Sequence, residues 1–81
     1  MTTKPILDEE EREEYMDLAR ETVANCEWLA ENNEKAEDFA ISVKEKIDSM
    51  IEWSEKNNKM TEKMASSIKN MSEAVQKWID R

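Results

Sequence analysis

Trp28, Trp53 and Trp78 stand at a spacing of 25 residues in a chain of 81 that contains no glycine and only one proline. Around the first two the likeness extends further. Cys26-Glu27-Trp28 through Val43 aligns with Ile51-Glu52-Trp53 through Ile68, and the matches include Glu, Trp, the pair Asn-Asn and a later Glu, Ala and Ser. A period of this length describes one helix and one joint, repeated. With the usual turn formers missing, the paired asparagines are the best candidates for punctuation. Asparagine tolerates the left-handed conformation that ends a helix, and its side chain can cap the next one.

The spacing predicts an all-α chain, an antiparallel up-down-up three-helix bundle with helices of about 8–31, 34–56 and 60–80. Residues 1–7 are expected to form a disordered tail. Asp8, followed by Glu9, Glu10 and Glu11, reads as an N-cap with acids placed against the positive end of the helix dipole. Thr61 is a second cap candidate, for the last helix.

A single 4-3 apolar pattern supports the three segments. It contains Tyr15, Ala19, Thr22, Cys26 and Leu29; then Ala36, Ala40, Val43, Ile47 and Met50; then Met64, Ile68, Met71, Val75 and Trp78. The same phase continues across the joints through Asn33, Ser54, Asn57 and Thr61. That continuity supports an alternative, longer helices forming an oligomeric coiled coil. The adjacent amides at each equivalent place favour the bundle, because inside a continuous helix they would cost propensity for no gain.

Charge is unevenly placed. Residues 1–33 carry −7, residues 34–57 carry −3 and residues 58–81 carry +2, giving the net −8. Phosphate binding needs clustered Lys and Arg, so direct contact with nucleic acid or with anionic lipid is not expected. The complementary partner is a basic protein surface, reached with electrostatic steering. No stretch approaches the roughly 20 apolar residues of a membrane helix, and residues 1–7 lack a signal-peptide core. One cysteine makes no internal disulfide. A cytoplasmic location is the expectation. The sequon Asn70-Met71-Ser72 falls within an expected helix and reads as coincidence.

Chemistry is limited by what the chain lacks. Without histidine there is no imidazole base and no imidazole metal ligand, and without glycine no phosphate-cradling loop. Glu9, Glu10, Glu13 and Glu14 have no closing loop to form a cation site. The acids fall on the solvent arc, where no catalytic pKa shift is expected. The chain is therefore expected to be no enzyme and to use no cofactor or metal. Cys26 is expected to be a small buried hydrophobe and Met50, Met64 and Met71 core filler, with a pliable binding surface as the other use of the methionines.

The tryptophans differ in angular position at about 100° per residue. Trp78 falls in the apolar arc of its helix and is expected in the core, and Trp53 falls at a boundary, about 110° from its stripe centre. Trp28 lies about 160° away, on a face shared with Glu10, Glu14, Asp17 and Glu21. An indole among acids has little structural purpose there, and Trp is enriched at binding hot spots. The expected protein-binding residues are therefore Glu10, Glu14, Asp17, Glu21, Trp28 and Trp53. A packed Trp28, folded under the first joint, is the competing structural explanation.

The resulting expectation is an acidic interaction module whose partner is a larger protein with a basic surface, with blockade of a nucleic-acid-binding groove as its most specific form. In size and charge alone, the chain is similar to small acidic inhibitors of restriction or CRISPR machinery. Its basic third segment does not supply the second row of charge that a strict DNA mimic needs. The alternative is a self-assembling helical subunit, a homo-oligomer in which the acidic first helix meets the basic third helix of a neighbour.

Overall fold

The computed structural model describes residues 6–80. Three helices follow in order: α1 (Glu9–Asn32), α2 (Glu37–Asn57) and α3 (Glu62–Ile79), with a 3-10 turn over Glu34–Ala36 before α2. The chain is an all-α three-helix bundle, and neither joint is crossed by a continuous helix. This sets aside the longer-helix alternative, for a physical reason visible at each joint.

At the first joint Asn33 is extended (φ −141°, ψ 100°), and its Oδ1 accepts from the backbone N–H of Lys35 and of Ala36. At the second, Asn58 is left-handed (φ 56°, ψ 36°), and its N–H donates to the Ser54 carbonyl. The two amides thus take the two roles expected of them, one at each joint. Asp8 Oδ1 accepts from Glu11 N–H at 2.9 Å, and Thr61 Oγ1 from Met64 N–H at 3.1 Å, so both expected caps form.

The arrangement is centred on α1, which packs against both other helices, whereas α2 and α3 touch little along their shared side. Ala19, Thr22, Cys26 and Leu29 of α1 meet Ala40, Val43 and Ile47 of α2, and Ala65, Ile68 and Val75 of α3, in one buried cluster. Small residues at positions 19, 36, 40 and 65 let backbones approach, and Leu29, Ile47 and Ile68 fill the space between them. Met16 and Met60 are also buried, although neither belongs to the 4-3 pattern.

The segment expected to be a tail differs at its end. Ile6 forms an isolated antiparallel bridge with Thr61, and Leu7 N–H donates to the Met60 carbonyl at 2.8 Å. Those contacts tie the start of α1 to the α2–α3 joint, since both lie at the same end of the bundle. The remaining tail positions, 1–5, lie outside the described residues.

Candidate protein-binding face

Asp8 starts α1 so that residues 10, 14, 17, 21 and 28 follow one another up its outer side. Glu10, Glu14, Asp17 and Glu21 are all exposed. Trp28 ends the row with 51% of its surface accessible, the most of any large hydrophobic residue among those described. At 1.5 Å per residue the row is about 27 Å long. α1 places its apolar side against α2 and α3, so no element covers this face.

The turn carrying Trp28 is well fixed. Asn32 Nδ2 donates to the Trp28 carbonyl at 2.8 Å, and Glu27 beside it pairs with Lys44 of α2 at 3.4 Å. The helix end is therefore satisfied by side chains other than the indole. Asp17 has a partner on the same helix, Arg20, at 3.7 Å. Both groups are largely exposed, so the pair adds little stability.

Trp53 is not brought to this face. The antiparallel course of α2 puts it at the opposite end of the bundle, 39% exposed, beside Ser49, Glu52 and Lys56. Trp78 is half-buried, its ring 6.2 Å from Phe39 with a 34° tilt. Of the residues expected to bind, the five on α1 form one row and Trp53 stands apart from it.

A second feature was not foreseen. Arg12 reaches from α1 to the end of α2, where Nε donates to Ser54 Oγ at 3.2 Å and Nη2 to the Ser54 carbonyl at 3.3 Å. Ser54 is fully buried, so this fork satisfies a hydroxyl inside the core and sets a positive charge on the negative end of α2. Farther along, Arg20 pairs with Glu55 at 3.2 Å. The two arginines, with Glu13, Met16, Asp17 and Glu55, line a cleft of about 300 Å³. Their engagement with α2 explains the cleft as a clasp between helices. The only hint in the sequence was that Arg12 and Arg20 are the sole bases of an acidic helix.

A third feature lies across the thin α2–α3 contact. Lys46, Ser49 and Met50 of α2 face Ser67, Asn70 and Met71 of α3 over an open cleft of about 520 Å³. The half-buried Met50 and Met71 form its apolar part, and no acid lines it.

Among the described residues, two ionisable groups are displaced from their ordinary values. Glu11 is raised, first by the charge of neighbouring Asp8, and it is fully exposed. Cys26 is raised mainly by burial, which keeps the thiol protonated and unreactive near neutral pH. Among the described residues, no group of three or more His, Cys, Asp or Glu could hold a metal ion, and no helix is long and apolar enough to cross a membrane. Compared with protein-family models, with curated proteins and with solved structures, the chain matches none of them.

Proposed function

We propose that this chain is a non-enzymatic protein–protein interaction module that offers the outer face of α1 to a basic surface of a larger protein. The observation that carries this reading is the half-exposed Trp28 at the end of a row of exposed acids, on a side of α1 that no other helix covers. Trp28 supplies an anchor that gains from being desolvated, and Glu10, Glu14, Asp17 and Glu21 speed and orient docking. Blocking a nucleic-acid-binding groove in the cytoplasm is the specific form we favour, because such a groove neutralises phosphates with clustered Lys and Arg and so presents an extended basic surface.

Support also comes from what the fold does with its ionisable groups. The raised carboxyl, Glu11, lies at the surface beside another acid, whereas a catalytic acid gains its shift from a secluded setting. Capture from the source lysate, run in parallel for the unaltered chain and Trp28→Ser, tests the proposal. A partner held by the former, lost from the latter and released as salt rises from about 0.05 to 0.5 M supports it. Equal retention by both chains overturns it. Self-assembly is the second reading, favoured by one observation, the acid-free cleft between α2 and α3.

A further inference from the structure

The α1 helix covers one side of the α2–α3 pair, and the other side is the open cleft of about 520 Å³. A fourth helix laid there would complete a four-helix arrangement. Its chemistry is narrowed by the lining. Lys46 is exposed and no acid lines the cleft with it; α3 adds exposed Lys63, Lys69 and Lys77 against Glu62 and Glu73, while the exposed acids Glu45, Asp48 and Glu52 of α2 lie outside the lining. Residues 58–81, at +2, are the one segment of the chain with a net positive charge. Met50 and Met71 present flexible, polarizable thioethers, which adapt to an aromatic ring and favour its edge.

The occupant that fits is a long acidic helix with an exposed aromatic residue, and the chain itself carries one. We infer that the α2–α3 cleft receives the Trp28 face of α1 from a second copy, the indole entering between Met50 and Met71 while the acids of α1 lie along Lys46 and α3. The inference rests on reading Trp28 as a binding anchor. α1 has 24 residues, about 36 Å at the standard rise, so a copy seated at the cleft also runs along the flanking surface of α3.

Such a contact joins two different surfaces. It is heterologous, and each copy keeps one unused face and one unused cleft, so assembly continues into rings or open chains instead of stopping at a two-fold dimer. A copy seated in the cleft also hides Trp28 from any other protein. A basic partner that takes the Trp28 face therefore dissolves the homomer, and self-association acts as a competitive store of the module.

Sedimentation velocity over a concentration series reads this directly. Two variants change exposed residues only: Trp28→Ser removes the anchor, and Lys46→Glu with Asn70→Glu reverses the charge of the cleft. The unaltered chain is expected to gain mass with concentration and to lose that gain at high salt. Each variant alone is expected to remain a monomer. Mixed in equal amounts, they should form a species of twice the monomer mass and no larger, because one retains the cleft and the other the Trp28 face. Three results overturn the inference: an unaltered chain that stays monomeric up to about 1 mM, where the binding free energy is only about −4 kcal/mol; a Trp28→Ser chain that still associates, the sign of cleft-to-cleft pairing; or a mixture that stays monomeric. Loss of self-association with Trp28-dependent capture of another protein retained removes this inference alone and leaves the proposed function standing.

Discussion

Residues 26–33 and 51–58 begin alike and are used differently. In both, an Asn four residues after the tryptophan turns its amide back onto the tryptophan carbonyl, Asn32 to Trp28 at 2.8 Å and Asn57 to Trp53 at 2.9 Å. Up to that point local sequence decides the conformation. Beyond it the segments part, since Asn33 is extended and caps the turn that follows, whereas Asn58 is left-handed and closes the helix behind it. Their surroundings part as well. Cys26 is fully buried because α1 lies between the other helices, and its counterpart Ile51 is only half-buried because α2 lies to one side. A repeat therefore fixes how a helix ends, while position in the bundle fixes what its side chains meet.

Breaking the shared core has the largest expected effect. Ile47 and Ile68 are fully buried, and replacing either by alanine should cost about 2 to 5 kcal/mol in urea unfolding, enough to unfold much of a chain this small. Because both segments rest on the same cluster, each substitution should lower the stability of the whole molecule in one transition.

The joints come next, and they should respond differently to glycine. Asn33→Gly removes the side chain that accepts from Lys35 and Ala36 and leaves an extended backbone that needs no glycine, so a loss of a few tenths of a kcal/mol is expected; Asn33→Ala should lose about 1 kcal/mol. Asn58→Gly relieves a left-handed residue and should be neutral or slightly stabilising, although glycine also frees the unfolded chain. Equal responses at the two positions would erase the distinction drawn between them.

Cys26 sharpens the comparison through pH. Burial raises its thiol, so the folded chain holds that proton more tightly than the unfolded chain does. The resulting stability is complete below the thiol's unfolded value and is lost as pH rises through the higher folded one, by at most about 1.4 kcal/mol per pH unit. Stability measured from about pH 8 to 11 should therefore fall more steeply for the unaltered chain than for Cys26→Ala. Parallel curves would mean that position 26 is less enclosed than the structure has it.

Much of this was legible in the residues themselves. The caps Asp8 and Thr61, the joints at both Asn pairs and the burial of Cys26 each depend on neighbours within a few positions, which periodicity and side-chain chemistry report. The exposure of Trp28 followed from its angle alone. What escaped depended on contacts across long separations. Met60 is buried because the α2–α3 joint folds over the core, and Arg12 finds Ser54 across 42 positions. Ile6 and Leu7 are held by residues 60 and 61, which no local pattern connects to the start of the chain. The cleft between α2 and α3 was equally hidden, because an apolar stripe shows which side of a helix is buried without saying how closely two neighbours approach.

The smallest expected effect on stability carries the most weight. If Trp28 is spare to the fold and kept as an anchor, replacing it with serine exchanges residues of similar helix propensity at an exposed site. Urea unfolding of Trp28→Ser beside the unaltered chain tests this most directly. Unfolding free energies that agree to within about 0.5 kcal/mol are expected. A loss of about 2 kcal/mol or more would show that the indole packs on the first joint and holds the bundle together, and would return Trp28 to a structural role.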